Sequence, residues 1–251
     1  SLVSSSNHWM FIASTGGLSA GRTNANHALF PYYTVDKLTE NSGNTGARTI
    51  LIVEKAGKRY LWEPFSARQQ GIYDVDRNLY KNIPGTTLIF EEINRDLKLT
   101  YHYAWRTSDA FGFVKSAWLT NHAADPCRVE ILDGLQNLLP ANVSEATQNT
   151  FSPLLDAYKK NELEEETGLA VYTLNSQLTD LAEPSESLLA TVAWQVGLEP
   201  EGTLLSSKQL EAFCSGQGVH SETEIRGQRG AYFTHTVFSL QPGEERAWHT
   251  V

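Results

Sequence analysis

From Leu97 to Arg106 the chain reads Leu-Lys-Leu-Thr-Tyr-His-Tyr-Ala-Trp-Arg, with large apolar residues at odd positions and polar or small ones between. That period of two predicts a strand with one face buried and the other wet. A helix would scatter Leu97, Leu99, Tyr101, Tyr103 and Trp105 around its whole circumference. Turn residues follow at 108–112, a second β run spans Phe113 to Asn121, and 121–126 turns the chain again. Cys127 to Ile131 then alternates once more. Three such runs on short connections predict an antiparallel meander at the heart of a β protein.

The same reading extends outward. Trp9 to Ala13 suits a buried strand, and the glycines at 14–21 read as a flexible turn, since the Lys-Ser/Thr ending of a phosphate loop is missing. Asn26 to Tyr33 reads as an aromatic loop packed onto a sheet, and 41–46 as a plain loop. Arg48 to Glu54 and Arg59 to Glu63 form a hairpin around Lys55-Ala-Gly-Lys58, with glycine where a positive φ is wanted. Thr86 to Ile93 pairs with the 97–106 run across Asn94-Arg-Asp96. Ser152-Pro153 reads as the N-cap and first residue of a short helix. Strands are expected at 158–163, 169–174, 188–196 and 232–240, a helical turn or two at 206–213, and a last β run from Glu244 to Val251. The sum is an all-β chain with one or two short helices, folded as a large two-sheet antiparallel sandwich.

Composition fits. The 251 residues can bury a sizeable core in one domain, and 18 Gly, nine Pro, six Trp, ten Tyr and ten Phe suit a turn-rich sheet protein. A net charge of −9 without a Lys/Arg run excludes phosphate-backbone binding, so no nucleic-acid partner is expected. No apolar stretch reaches the roughly 18 residues of a membrane span, and no secretion signal opens the chain, so a cytoplasmic protein without membrane contact is expected. Cys127 and Cys214 are expected to be unlinked buried thiols, with a disulfide left open. Because the last residues read as a strand, the expectation is one sandwich domain over 1–251, cut from a longer polypeptide.

Candidate chemistry is sparse. The seven histidines include no His-x-x-x-His pair and the chain holds no Cys-x-x-Cys, so no metal is expected; Gly17-Leu-Ser-Ala-Gly21 has the Gly-x-Ser-x-Gly spacing, but the segment reads as a flexible turn and no serine nucleophile is expected. Asp74 and Asp76 would share one strand face, whereas Glu91 and Glu92 would point opposite ways; both pairs read as solvated charges or partners for Arg77. Aromatics beside polar groups are the better lead, because sugar rings stack on Trp or Tyr while their hydroxyls seek Asn, Asp and Arg. That reasoning selects Tyr32, Tyr33 and Asp36 in Phe30 to Asp36 and Trp62 in Trp62 to Phe65, and Arg77 is added to them as a substrate-binding candidate; no catalytic residue is assigned.

Several segments resemble a known family. Gly46-Ala-Arg-Thr-Ile-Leu-Ile-Val53, a hairpin and Tyr60-Leu-Trp-Glu-Pro64 resemble the opening of the N-terminal domain of cellobiose and chitobiose phosphorylases and cyclic β-glucan synthases. Phe113 to Asn121 with Arg128 to Ile131, Asn149 to Leu154 with Thr167 to Val171, and Leu240 to Glu244 are similar to later parts of that domain. The first forty residues do not match. The resemblance implies a β-supersandwich of the galactose-mutarotase type, non-catalytic by itself. It also implies a C-terminal (α/α)6 barrel in the same polypeptide as partner, an oligosaccharide substrate and a homodimer. No cofactor is implied; inorganic phosphate would be co-substrate if the parent is a phosphorylase, and a glycoside hydrolase is the other parent activity. Two rival classes stand beside it. One is a free-standing aldose-epimerase-like enzyme, needing a His and a carboxylate on one face, for which His102 and His235 are available. The other is a carbohydrate-binding module with an aromatic platform at Trp62 or Tyr32.

Overall fold

The computed structural model describes residues 1–176 and 189–251, and most of its elements are strands. The chain opens with β1 (His8–Ile12), β2 (Leu18–Arg22) and β3 (Ala28–Phe30), then helix α1 (Val35–Glu40). The hairpin β4 (Gly46–Lys55) and β5 (Lys58–Trp62) is followed by β6 (Val75–Lys81), β7 (Leu88–Asn94), β8 (Leu99–Ser108), β9 (Gly112–Asn121) and β10 (Cys127–Leu138). Helix α2 (Glu145–Tyr158) leads into β11 (Lys159–Glu164) and β12 (Leu169–Leu174). Beyond residue 189 come β13 (Thr191–Ala193), β14 (Gln195–Val196), β15 (Gly202–Leu204) and helix α3 (Leu210–Cys214). Last are β16 (Glu224–Arg226), β17 (Gly230–Leu240) and β18 (Glu245–Thr250).

The all-β expectation holds, but the expected two sheets are four. Their strand orders are β1-β2-β3, β15-β17-β10-β4-β5, β13-β12-β11-β16 and β14-β18-β9-β8-β7-β6. The five- and six-stranded sheets share one apolar core, in which Leu51, Val53, Val129 and Ile131 join Phe90, Leu99, Tyr101, Leu119 and Trp248. Alternation decides which side chains enter it: Leu99, Tyr101, Tyr103 and Trp105 are buried, while His102 and Arg106 on the other face keep contact with solvent. At the centre lies a charge. The Asp133 carboxylate accepts from Thr49 Oγ1 (2.5 Å), Tyr101 OH (3.2 Å), Lys115 Nζ (2.6 Å) and Trp248 Nε1 (2.6 Å). Every donor potential aimed at this buried group is used, which is the condition for keeping an ion pair between sheets.

Three local expectations are corrected. The meander breaks after β9: β10 crosses to the five-stranded sheet, and β18 takes the place beside β9. Asn121, fully buried, fixes the crossing by donating to the carbonyls of Asp125 (3.0 Å) and Leu240 (3.1 Å) and accepting from Ala123 N (2.9 Å). Helix α2 starts at Glu145, because the Ser144 hydroxyl caps Thr147 N at 3.1 Å; Pro153 lies inside it, beside a kink at Phe151. The glycine-rich turn is partly a strand, β2, which pairs with β1. The 55–58 hairpin is as expected, with Ala56 and Gly57 both at positive φ. Of the expected run at 188–196, Leu188 lies outside the described residues, and the rest forms β13 and β14 in different sheets.

Candidate functional site

The register of four neighbouring strands builds a row across the outer face of the six-stranded sheet. Asn78 on β6 lies opposite Glu91 on β7, Glu91 opposite His102 on β8, and His102 opposite Trp118 on β9. Directly opposed residues bring their side chains within contact distance. Glu91 Oε1 accepts from Asn78 Nδ2 (2.8 Å) and from the Tyr80 hydroxyl (2.9 Å), and Glu91 Oε2 meets His102 Nε2 at 2.6 Å. The His102 ring stacks on the Trp118 ring, with centroids 4.7 Å apart and planes within 10°. Tyr80 and Asn78 are exposed, while Glu91, His102 and Trp118 are half-buried.

Partial burial pushes the Glu91 carboxyl up, but hydrogen bonds from Asn78, Tyr80 and His102 outweigh it and hold the group below its ordinary value. Glu91 is therefore a carboxylate at neutral pH, oriented by three donors. The same carboxylate raises the Tyr80 phenol, whose proton it accepts as a hydrogen bond. His102 Nδ1 is buried and has no partner among the described residues. An open groove of about 860 Å³ runs alongside, lined by Glu91, Thr100, His102, Thr120, His122 and Glu245 among others. The arrangement sets a stacked aromatic pair, His102 on Trp118, beside a carboxylate held in orientation, with Glu91 and His102 lining the groove alongside.

The five candidates read from sequence lie elsewhere. Trp62 is 1% exposed and cannot be a stacking platform; its Nε1 donates to Glu92 Oε1 at 2.7 Å. Arg77 meets Glu92 Oε2 at 2.7 Å, and Phe65 N donates to the same oxygen at 2.6 Å. Both residues thus serve a buried carboxylate that ties the β5 end to β6. Tyr32 and Tyr33 are half-buried, and Tyr32 packs edge-on to Trp9 at 5.9 Å. Asp36, exposed on α1, accepts from Thr34 Oγ1. Among the described residues no hydrogen bond or ring contact joins these three to Trp62 or Arg77.

Glu91 and Glu92 do point to opposite faces, as expected, but neither is a freely solvated charge. Asp76 pairs with Arg95, not Arg77. His235 meets Glu130 at 3.1 Å on the outer face of the five-stranded sheet, where Phe213 covers it. Both cysteines are free, Cys127 buried and Cys214 half-buried; burial and the neighbouring Glu63 push the Cys214 thiol up to about 11. Among the described residues, no group of three or more His, Cys, Asp or Glu is placed to hold a metal ion, and no helix is long and apolar enough to cross a membrane.

No protein-family model matches the sequence, and no curated protein matches it. Structure comparison finds 39 solved chains of similar fold. One, titled a polysaccharide lyase, has a TM-score of 0.50 and 12% identity over 98% of this chain and 32% of that one. The chain thus spans about a third of that protein's length, and at this identity the likeness is one of fold.

Proposed function

We propose that this chain is the β domain of a carbohydrate-active enzyme, a supersandwich of the galactose-mutarotase type, whose six-stranded sheet turns its outer face to a saccharide. The catalytic (α/α)6 barrel is supplied by the same polypeptide, with inorganic phosphate as co-substrate if the parent is a phosphorylase. The observation that carries this reading is the row Asn78–Glu91–His102–Trp118, an aromatic wall and a chain of hydrogen-bonding groups on one open sheet face. Supporting it further, a chain titled a polysaccharide lyase carries the same fold within about a third of its length.

The test is calorimetry with a panel of neutral and acidic oligosaccharides, together with phosphorolysis and hydrolysis assays on the same panel. Saturable binding that Trp118→Ala weakens at least about tenfold, without turnover by the 251 residues, supports the reading. Turnover by this chain alone, or binding indifferent to Trp118→Ala, refutes it. A second reading, an aldose-epimerase-like enzyme, is favoured by one contact, the 2.6 Å His102–Glu91 pair in an open groove. It predicts that the isolated chain speeds aldose mutarotation and that His102→Gln abolishes the effect; polarimetry separates the two.

A further inference from the structure

The outer face of the five-stranded sheet carries a second pocket, of about 480 Å³, over β4 and β10. We propose that it binds an oxyanion, the carboxylate, phosphate or sulfate group of a soluble ligand. The proposal stands apart from the saccharide reading and does not depend on it.

Its lining includes three cationic side chains, Arg48, Lys208 and Arg229, against one carboxylate, Asp156. That carboxylate is already committed: Asp156 Oδ1 meets the buried Lys159 Nζ at 2.6 Å, and Oδ2 meets Arg229 Nε at 3.2 Å. Arg48 directs Nη2 to Glu63 and Glu211, which lie outside this pocket. Lys208 is exposed and has no ion-pair partner among the described residues. The pocket therefore holds an excess of positive charge with one cation uncommitted.

Gln136 supplies an independent sign. It lines the pocket and is 2% exposed, yet its amide nitrogen has no hydrogen-bond partner among the described residues. Buried polar groups are almost always paired, and an orphan donor beside surplus cations calls for an acceptor-only, negatively charged group. An oxyanion is that group. A metal cation would be repelled, and an apolar ligand would leave the amide unpaired. Gly134, in register with Arg48 and Phe233, lets β10 and β17 approach closely beneath this face, since a Cβ there would lie 1.8 Å from the Tyr232 carbonyl oxygen. Asn137, at φ 60° in the bulge that follows, turns the end of β10 and donates to Thr45 Oγ1 at 2.9 Å.

The test is calorimetry of the 251-residue protein at low chloride with inorganic phosphate, sulfate and glucuronate as separate probes, through about 10 mM. At least one probe is expected to bind saturably, with Lys208→Ala weakening it about tenfold and the near-isosteric Gln136→Met by a similar factor. Lys58→Ala, in the distant hairpin, leaves the affinity unchanged. The preferred probe tells a carboxylated from a phosphorylated or sulfated ligand. No saturable heat from any probe overturns the proposal. So does binding of equal strength in folded Lys208→Ala and Gln136→Met, which would mark an adventitious ion only. Thermal melts of each variant confirm that a loss of binding is not a loss of fold.

Discussion

Lys115 and Asp133 offer the sharpest test of how the two large sheets are held together. Both side chains are sealed from solvent, at 0% and 1% exposure, and their charged atoms lie 2.6 Å apart. Lys115→Met keeps the length of the side chain and removes its charge. The carboxylate is then left with three neutral donors, Thr49, Tyr101 and Trp248, inside the core. Breaking a buried pair from one side costs about 3–5 kcal/mol, because the surviving charge stays desolvated. For a chain of this size that corresponds to a fall of roughly 6–20 °C in melting temperature. The double variant Lys115→Met/Asp133→Leu removes both charges. Thr49 Oγ1 and the Tyr101 hydroxyl, 2.7 Å apart, can then share one hydrogen bond, which leaves one hydroxyl proton and Trp248 Nε1 without an acceptor. Each orphan costs about 1–3 kcal/mol, and the double variant is expected to lose less than the two single changes together, because neither orphan is an uncompensated buried charge. Urea denaturation followed by tryptophan fluorescence reads all three variants. If Lys115→Met costs under about 1 kcal/mol, or if the double variant costs the sum of the singles, the network is not the electrostatic unit described.

Two further outcomes follow from the geometry. The folded Glu91 carboxyl lies below its unfolded value, so its stabilising contribution is complete above the unfolded pKa of about 4.3 and is lost as pH falls through the folded one. Glu91→Gln should therefore lower the urea midpoint at pH 7, by about 1 kcal/mol in stability, and differ less and less from the parent in acid; a pH-independent gap would contradict this. Gly134→Ala places a Cβ 1.8 Å from the Tyr232 carbonyl oxygen, a clash that only a shift of β10 against β17 relieves. A loss of about 1–3 kcal/mol or more is expected in thermal or urea unfolding, and a fully stable variant would show that this pairing is looser than drawn.

Much of the strand pattern was legible from alternation alone. Residues 97–106 and 113–121 announce themselves, because one face is apolar throughout and the pleat has a period of two. The partners were not legible, since alternation tells which face is buried and says nothing about which edge a strand joins. Alternation and short turns alone set β10 beside β9, whereas the buried amide of Asn121 sends the chain to the other sheet. β10 also runs seven residues past Ile131, through Asp133, Gly134, Gln136 and Asn137, which read as a polar interruption. The distant donors Thr49, Tyr101, Lys115 and Trp248 make a carboxylate tolerable there, and no local window contains them.

Strand parity also marks which aromatics reach the open face. Trp62 stands out in sequence as an aromatic at a strand end beside Glu63, yet in the structure its indole is buried, held by Glu92, which Arg77 also meets. Trp118 carried the better signal. It lies between Ala117 and Leu119, both buried, so its parity in β9 is that of the solvated face, and the equally solvated His102 sits on the adjoining strand. The parity argument also separates the two surfaces. Arg48 and Gln136 point away from the shared core on one sheet, as Glu91 and Trp118 do on the other, with two sheets roughly 10 Å apart between them. One small ligand cannot span that thickness, so a residue on one surface has no direct means of changing affinity at the other. Trp118→Ala and Lys208→Ala accordingly act on different ligands, and the two assays stand or fall separately.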